Sequence, residues 1–384
     1  MKSSTLLIDA VTALGSGHLE LQKELALAAA RNKPSDAKVI LLQSEHVEAT
    51  PAHPALKVVR VPHPGRSWIK RWQWLNQDLP RLAREHQADV FYSLNGLLSH
   101  ALLKQNACIG TVNNMVPFTP LLLKRRPLYH VERLRLEILK HQYVKSLKKA
   151  HAVIVHSKFA LDQTKPYTGS LEEKSVLCYT GMPTNLRFDS QKPPIHPLAG
   201  RPYLFYLSAF QWYKNHENLL RAYDILRKNF DAPPLYLAGP THDVAYAEKI
   251  KKLLQELKLG DHVRFLGALS REKIPAWIHH ADIHIFASLC ETNSVILAET
   301  FGVHGVLLTS NREPMPEIAG DAADYFDPEN PLQMAQAIEK LLHTPGRREE
   351  LRAKARERIS YFSWDLCGKA IWKAAEIAML NRAT

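Results

Sequence analysis

Short apolar runs alternate with helix-patterned segments along most of the chain, and this alternation limits the fold more than any other feature. In the second half, a strand-like run at 203–210 (YLFYLSAF) precedes a segment whose apolar residues recur at helical spacing, namely Leu219, Ala222, Tyr223 and Leu226. Further strand-like runs follow at PLYLAGP, HVRFLGAL, DIHIFAS and GVLLTS, each separated from the next by a helical segment. Strands that alternate with helices indicate a parallel sheet covered by helices on both faces. The second half is therefore predicted to be a Rossmann-like domain.

The first half carries the same alternation in a less regular form. Strands are predicted at STLLIDAV, KVILLQS, ADVFYSL, ACIGTV and HAVIVHS, with a helix after the first of them. A chain of 384 residues exceeds the size at which one core usually keeps growing, roughly 250 to 300 residues, so two domains are expected. The segment 189–202 (DSQKPPIHPLAGRP) has four prolines among polar residues, as is typical of a linker.

These observations define the predicted architecture, an α/β fold of two Rossmann-like domains that face each other across a cleft. The first domain covers 1–188, the linker 189–202 and the second domain 203–362. The tail 363–384 is an amphipathic helix that we expect to cross back onto the first domain. Ligands of α/β folds bind at the carboxyl ends of the strands, so the cleft is the expected site.

The sequence favours neither a membrane-spanning protein nor a disulfide framework. No stretch of about 18 uncharged apolar residues occurs. The amino terminus, MKSSTLLIDAV, has an apolar run that Asp9 interrupts and that is too short for a secretory signal, so we expect a cytoplasmic protein. The cysteines lie far apart and form no CxxC pair, which favours reduced thiols over disulfides or a zinc site; they are Cys108, Cys178, Cys290 and Cys367.

The formal charge of +12 predicts an anionic partner, and the charge alone leaves open a nucleotide, a membrane face or nucleic acid. Basic residues concentrate in two first-half segments, 65–74 (GRSWIKRWQW) and 124–149, and the first interleaves them with tryptophan. Basic residues beside tryptophan suit an anionic lipid interface. The alternative is a solvated helix face whose tryptophans turn to the core. The candidate membrane or acceptor residues are Arg66, Trp68, Lys70, Arg71, Trp72, Lys124, Arg125 and Arg126.

Two glutamates in a largely apolar segment, ASLCETNSVILAETFG, are the main candidates for ligand binding. A buried, unpaired carboxylate is costly, so Glu299 is either exposed, paired with a neighbour such as Arg312, or placed for a ligand. A helix is predicted to begin at Thr292 or Asn293, which puts Glu291 about 12 Å before Glu299 along its axis. Amides at the start of a helix attract phosphate, and a carboxylate accepts the hydroxyl protons of a ribose diol.

The same segment resembles a motif of a known enzyme family. CETNSVILAE (290–299) is similar to the Glu-x7-Glu segment of retaining glycosyltransferases of family 4, which have the two-domain GT-B fold. The resemblance extends through TSNREPMPEIAGDAADYFDPENP (309–331), YLSAFQWYKNHENLLRAY (206–223) and YFSW (361–364), and more loosely to HAVIVHSKFA and TVNNMVPF in the first half. It implies transfer of a sugar from a nucleotide-diphosphate donor with retention at the anomeric carbon, as in the bacterial assembly of surface polysaccharide or lipopolysaccharide.

The resemblance also implies roles for individual residues. Glu299 would bind the donor ribose, Glu291 would lie near the donor sugar or diphosphate, and Lys214 would neutralise the diphosphate as the bond to the sugar breaks. No Asp-x-Asp occurs, so neither a metal nor another cofactor is expected. A GxG segment between the first strand and first helix matches a place of close donor approach, and it is equally compatible with an ordinary tight turn. The remaining donor-binding candidates are Gly15, Gly17, Thr292, Asn293 and Ser294.

Some positions depart from the family pattern. Many relatives have an arginine five residues before the lysine, where this chain has Ala209, so a first-domain cation is expected to assist Lys214. Some relatives have a histidine where this chain has Asn114, a catalytic candidate whose amide donates a hydrogen bond but exchanges no proton at neutral pH. A glycine and a proline that are common after the second glutamate become His304 and Val306.

The leading hypothesis is a hexosyltransferase that uses a UDP-, GDP- or dTDP-sugar and a saccharide or lipid-linked acceptor, in the cytoplasm or on the inner face of the membrane. One alternative is a catalytically silent nucleotide-sugar binder, which the missing arginine permits. Another is a basic nucleic-acid-binding protein, but no zinc finger, RNP motif or basic helix-turn-helix supports it, so no nucleic-acid partner is expected. The histidines His279, His280 and His284 span a predicted helix end and strand start, which favours surface or core positions over a metal site.

Overall fold

The computed structural model describes residues 4–12, 16–65, 67–124, 131–182 and 194–383, with the side chains of residues 16–20 excepted. The chain divides into two compact units, which are Met1–Gly181 together with Ser363–Thr384, and Met182–Phe362. The predicted domain boundary at 188 and the first part of the predicted linker, 189–193, lie outside the described residues. Both units contain a sheet in which every strand pairing of the described residues is parallel, so the predicted α/β class is confirmed.

Within its described residues the first unit contains seven strands, which are β1 (Thr5–Asp9), β2 (Lys38–Ser44), β3 (Leu56–Val61), β4 (Val90–Ser93), β5 (Ala107–Thr111), β6 (Ala152–Val155) and β7 (Ser175–Leu177). They form one sheet in the order β3-β2-β1-β4-β5-β6-β7. The sequence did not predict the two edge strands. β3 is half exposed and β7 has only three residues, so neither shows the continuous apolar run of a buried parallel strand.

The helices of the first unit cover both faces of this sheet. They are α1 (Ser16–Arg31), α2 (Trp68–Gln73), α3 (Leu79–Glu85), α4 (His100–Gln105), α5 (Pro120–Lys124), α6 (Val131–Lys149), α7 (Lys158–Thr168) and, from the carboxyl terminus, α15 (Trp364–Ala383). A π-helical turn, Trp74–Asp78, joins α2 to α3.

The carboxyl-terminal helix α15 packs against α1, β5 and β6, which confirms the prediction that it crosses back to the first domain. The indole of Trp372 donates a hydrogen bond of 2.8 Å to the carbonyl oxygen of Ala29. Gly368 lies so close to α1 that a Cβ there would be 2.3 Å from the carbonyl oxygen of Ala28. A glycine is therefore required where the two helices meet, since any side chain would push them apart.

The second unit contains six strands in its described part, which are β8 (Leu204–Leu207), β9 (Leu235–Ala238), β10 (Val263–Gly267), β11 (Ile283–Phe286), β12 (Leu307–Ser310) and β13 (Ala323–Phe326). They form a sheet in the order β10-β9-β8-β11-β12-β13. The helices around it are α8 (His216–Asn229), α9 (Val244–Glu256), α10 (Ile274–His279), α11 (Val295–Gly302), α12 (Met315–Ala319), α13 (Pro331–Leu342) and α14 (Pro345–Arg358).

Within the described ranges, every helix falls short of the length and apolar character that crossing a bilayer requires. The cysteines are all buried thiols that form no disulfide, and they are Cys108, Cys178, Cys290 and Cys367.

Candidate functional site

The switch point of the second sheet lies between β8 and β11. From β8 the chain continues to β9 on one side, whereas the later strands β11, β12 and β13 extend the sheet on the other side. Loops that leave the carboxyl ends of two such strands in opposite directions open a crevice that binds ligands in α/β proteins. Lys214 lies in the loop after β8 and Glu291 lies in the loop after β11, so the two candidates meet at this crevice.

Lys214 and Glu291 form a short ion pair. The Lys214 Nζ lies 2.5 Å from the Glu291 Oε1, and each side chain is only 12% exposed. Burial lowers the pKa of Lys214, but the adjacent Glu291 carboxylate more than offsets this and leaves the pKa raised. The lysine is therefore a fixed cation at neutral pH.

The backbone holds Lys214 in place. Trp212–Lys214 forms one 3-10 turn, after which Asn215 takes a left-handed conformation with φ of 61°. The Asn215 side chain donates a 2.7 Å hydrogen bond to the carbonyl oxygen of Pro328, and the hydroxyl of Tyr206 donates to that of Lys214. An asparagine tolerates the left-handed region better than most residues, so it suits this turn into α8.

His216 adds no second cation beside Lys214. Its ring stacks on Phe210 at 4.4 Å between ring centroids. Burial, reinforced by the Lys214 charge, lowers the pKa of His216 to about 3. The imidazole is therefore neutral at physiological pH.

The structure corrects the predicted helix start beside Glu291. The helix α11 begins at Val295 rather than at Thr292 or Asn293, and Ser294 occupies the cap position without a capping hydrogen bond from its side chain. In the preceding loop the Leu289 amide donates a 2.8 Å hydrogen bond to the carbonyl oxygen of Tyr213, in the loop after β8. Glu291 lies in this preceding loop and only Glu299 lies on the helix. The predicted helical rise of about 12 Å from Glu291 to Glu299 therefore does not hold, because the helix begins four residues after Glu291.

Glu299 is a buried carboxylate with incomplete pairing. It is 6% exposed, and its nearest cation is Arg271, whose Nη1 lies 4.0 Å from Oε1, too far for a hydrogen bond. Burial, partly offset by the Arg271 charge, raises the pKa of Glu299 to about 7. Arg271 Nη1 itself has no hydrogen-bond partner among the described residues. The predicted alternative partner, Arg312, instead pairs with Asp327 and Glu329.

Arg271 is a residue that sequence reasoning missed. It follows β10 at the carboxyl edge of the sheet, in the turn Arg271–Lys273 that leads into α10. Little in the sequence indicates a role for Arg271, because the segment REK (271–273) is typical of an ordinary charged helix start. The contact joins Arg271 to Glu299, which lies 28 positions later in the sequence. The periodicity of a helix or strand carries no information about a contact between residues so far apart.

The turn after α11 shows the local effect of a departure from the family pattern. His304 adopts a left-handed φ of 56°, which a glycine would adopt without strain. The Gly305 amide still donates a 2.8 Å hydrogen bond to the carbonyl oxygen of Thr300. The turn into β12 therefore closes with a histidine in place of the glycine.

The first-unit donor candidates are less fully defined. Gly15 lies outside the described residues, and Gly17 lies in the first turn of α1. Asn114 follows β5 at the carboxyl edge of the first sheet, where its side-chain oxygen accepts a 3.0 Å hydrogen bond from the Val116 amide. The Asn114 side-chain oxygen is therefore already hydrogen-bonded within its own loop. Thr292 and Asn293 are half-buried loop residues of the second unit.

A second buried carboxylate, which the sequence analysis did not select, lies in the first unit. Asp9 ends β1 between β2 and β4, at the switch point of that sheet. Its Oδ1 accepts a 3.1 Å hydrogen bond from the Val11 amide, and its Oδ2 has no partner among the described residues. Burial raises the pKa of Asp9 to about 7, although the Val11 amide and the nearby Trp74 side chain lower it in part. The signal was present in STLLIDAV, where an acid interrupts a buried strand.

The basic, tryptophan-bearing segment lies largely on the surface of the first unit. Trp68 is 76% and Trp72 is 54% exposed, whereas Trp74 is buried. The alternative that the tryptophans turn to the core therefore holds for Trp74 only. The neighbouring cations Lys70 and Arg71 are exposed, as is Lys124 at the end of α5. The candidates Arg66, Arg125 and Arg126 lie outside the described residues.

The histidine candidates have structural partners. His279 and His280 hydrogen-bond the carbonyl oxygens of Val303 and Pro194. His284 lies in β11 and bonds the hydroxyl of Thr300 at 2.7 Å. Across the described ranges, no three histidine, cysteine or acidic side chains come together in a way that would hold a metal ion.

Comparison with solved structures identifies the fold as GT-B. The chain is similar to sucrose-phosphate synthase from Thermosynechococcus elongatus with a TM-score of 0.77 and 17% identity, over 96% of this chain and 98% of that chain. At this identity the likeness describes the fold and not the activity.

The sequence comparisons concern mainly the second unit. Residues 188–358 match the family model described as Glycosyl transferases group 1. A GDP-mannose-dependent alpha-(1-6)-phosphatidylinositol monomannoside mannosyltransferase of Mycobacterium tuberculosis is 26% identical over 44% of this chain and 46% of its own length. O-antigen chain mannosyltransferase B of Escherichia coli is 26% identical over 45% of each chain. The chain thus spans about half the length of the curated relatives it matches, and these findings support a GT-B glycosyltransferase.

Proposed function

We propose that the protein is a glycosyltransferase that moves a hexosyl or deoxyhexosyl group from a nucleotide-diphosphate sugar to a saccharide or lipid-linked acceptor, with retention at the anomeric carbon. The observation that carries the proposal is Glu299, a buried carboxylate at the carboxyl edge of the second sheet that lacks a close hydrogen-bonded cation. A carboxylate kept in this state without a ligand is costly. A ribose diol would supply the two hydroxyl donors that it lacks.

Lys214 serves as the cation for the diphosphate. In the reaction, the bond between the anomeric carbon and the diphosphate oxygen breaks and its electron pair stays on the nucleoside diphosphate. The acceptor oxygen bonds the anomeric carbon, and the acceptor proton passes to the leaving diphosphate. A fixed ammonium stabilises the negative charge that develops on the leaving group more than it stabilises the intact donor.

Glu291 keeps the Lys214 ammonium charged and in position before the donor arrives, through their 2.5 Å contact. When the diphosphate shares this ammonium, the Glu291 carboxylate becomes available to accept hydroxyl protons from the donor sugar. The proposed chemistry uses protein cations alone and no metal ion.

The donor to test first is GDP-mannose, because the relative from Mycobacterium tuberculosis is named as GDP-mannose-dependent and the relative from Escherichia coli as an O-antigen chain mannosyltransferase. The second name also supports a place in surface-polysaccharide or lipopolysaccharide assembly. We therefore propose a cytoplasmic location at the inner face of the membrane.

The proposal is tested by nucleoside diphosphate release from a panel of GDP-, UDP- and dTDP-sugars, without acceptor and in the presence of a chelator. We expect one donor to be hydrolysed slowly by the wild type and not measurably by Glu299→Gln or Lys214→Met. Lys228→Met is the matched control, because Lys228 is an exposed lysine that pairs within α8 and its loss removes the same charge. Binding of a donor without any turnover would indicate a silent nucleotide-sugar binder, and loss of turnover with chelator would contradict the metal-free chemistry.

A further inference from the structure

A pocket of about 230 Å³ lies between α2, α4 and α6 on the first unit, separate from the donor residues of the second unit. One wall is mainly apolar, another carries two lysines, and polar side chains such as Ser99 and Gln142 complete the lining. The residues that define the two walls are Trp72, Leu75, Leu97 and Leu103 on one side and Lys145 and Lys149 on the other. We infer that this pocket binds the phosphate headgroup of an anionic phospholipid at a membrane surface.

The cationic wall carries charge that the protein does not neutralise. Lys145 and Lys149 are four residues apart on α6, so they lie on the same face of the helix. Both are exposed, and neither has an acidic group within 4.0 Å among the described residues. Lys140 on the same helix pairs with Glu137 at 2.7 Å, which shows that α6 neutralises some of its lysines but not these two. Two unpaired ammonium groups beside one cavity favour a phosphate.

The apolar wall continues onto the surface as exposed side chains. Trp68, Ile69 and Trp72 project from α2 into solvent. On α6, Val131, Leu134 and Ile138 are also exposed and lie at spacings of three and four residues, which form one stripe of the helix. The same stripe continues through Lys145 and Lys149, so its first half is apolar and its last half is cationic. Several exposed large apolar side chains on neighbouring elements are typical of a binding surface.

A phospholipid matches both properties, because its phosphate suits the lysines and its acyl chains suit the tryptophans. Tryptophan rings favour the boundary between headgroups and hydrocarbon, and lysines are attracted to anionic leaflets. A nucleic acid would satisfy the lysines but would leave the exposed leucine, isoleucine and valine side chains of α2 and α6 in water. The combination therefore favours a lipid surface over another polyanion.

The inference does not depend on the donor site, so it is tested by flotation with vesicles in the absence of any sugar. The probe is phosphatidylcholine containing one third phosphatidylglycerol, compared with pure phosphatidylcholine, each at low and high salt. We expect the wild type to float with the anionic vesicles and to lose most of this binding at high salt. The double variant Lys145→Ala, Lys149→Ala should reduce partitioning roughly 30-fold, at about 1 kcal/mol for each lysine.

The control is Lys251→Ala, Lys252→Ala, which removes the same charge from the exposed side of α9 in the second unit and should leave binding within about twofold. A second variant, Leu103→Trp, fills the pocket without changing the charge and should also weaken binding, with circular dichroism used to show that the fold is retained. Equal binding by the wild type and the double lysine variant would overturn the inference, as would unchanged binding by a folded Leu103→Trp. Retention of single-stranded DNA through the same two lysines, without vesicle binding, would identify a nucleic-acid surface instead.

Discussion

The carboxyl edges of the two sheets differ in the partners that they provide for a buried acid. In the second unit, Glu291 is matched by a lysine from the neighbouring loop, and Glu299 faces an arginine at a distance that leaves it incompletely paired. In the first unit, Asp9 has no cationic partner among the described residues and relies on one backbone amide. The second edge therefore holds a fixed cation, Lys214, as an anionic diphosphate requires, whereas the first offers a single acid among neutral groups.

Hydroxyl and amide groups surround the acid of the first edge. The Ser93 hydroxyl donates to the side chain of Asn95 at 2.8 Å, and the Asn95 amide donates to the Thr12 hydroxyl. Groups of this type both donate and accept hydrogen bonds, as the recognition of sugar hydroxyls requires. On this comparison we propose that the second unit recognises the charge of the donor and that the first unit recognises hydroxyl groups.

Breaking the ion pair should produce the largest effect. Lys214→Met leaves the Glu291 carboxylate buried and unpaired, which we expect to lower the free energy of unfolding by about 3 kcal/mol. Donor turnover should fall at least about 100-fold, because the leaving group loses its cation. Urea denaturation and donor hydrolysis measure the two effects.

The double variant Lys214→Met, Glu291→Leu separates the effect on stability from the effect on donor turnover. Removal of both charges should restore most of the lost stability, since no buried charge remains, but it should not restore turnover. Recovery of turnover in the double variant would show that Lys214 acts only through the fold.

Asp9→Asn should stabilise the first unit at alkaline pH. The pKa of Asp9 is raised to about 7, so the folded state retains a proton that the unfolded chain releases near pH 4. The stability that this retained proton gives the folded state is therefore lost as the pH rises through 7. Asparagine avoids this loss, and we expect a gain on the order of 3 kcal/mol at about pH 8, with little change at about pH 4. Donor affinity should not change; a loss of donor affinity would contradict the division of labour between the units.

Glu299→Gln should also stabilise the fold at alkaline pH, but by less than Asp9→Asn does, because the Arg271 charge offsets part of the cost of burying the Glu299 carboxylate. The pKa of Glu299 is raised from its usual value of 4.5 to about 7, so stability again falls as the pH rises through 7. The variant should gain on the order of 2 kcal/mol at about pH 8. In contrast to Asp9→Asn, it should lose donor binding. Urea denaturation at both pH values, in parallel with donor titration, measures the pair of effects.

The sequence was sufficient for the architecture because alternating apolar runs report burial directly. The strands β8, β9, β11 and β12 follow mainly apolar runs, whereas the exposed edge strand β3 and the three-residue strand β7 lack that signal. The start of α11 was misplaced because three capping residue types, Thr292, Asn293 and Ser294, stand in a row and local propensity does not choose among them. The hydrogen bond from Leu289 to Tyr213 anchors the loop before the helix, and it joins loops that follow different strands.

For the site, the sequence selected Glu291 and Glu299 as acids in an apolar segment, and the resemblance of ordered motifs added Lys214. Neither the contact between Lys214 and Glu291 nor the approach of Arg271 to Glu299 was predicted. Both contacts depend on which strand ends are neighbours in the sheet, and the strand order is set by tertiary packing rather than by local pattern.

The central claim is that the buried Glu299 carboxylate exists to hold the ribose of a nucleotide donor. The most direct test is calorimetric titration of the wild type and of Glu299→Gln with the nucleoside diphosphate of the donor that the hydrolysis panel identifies. The account predicts clear binding by the wild type and at least about tenfold weaker binding by the variant, in proportion to the loss of two charge-assisted hydrogen bonds. Equal affinity for the two proteins would contradict it.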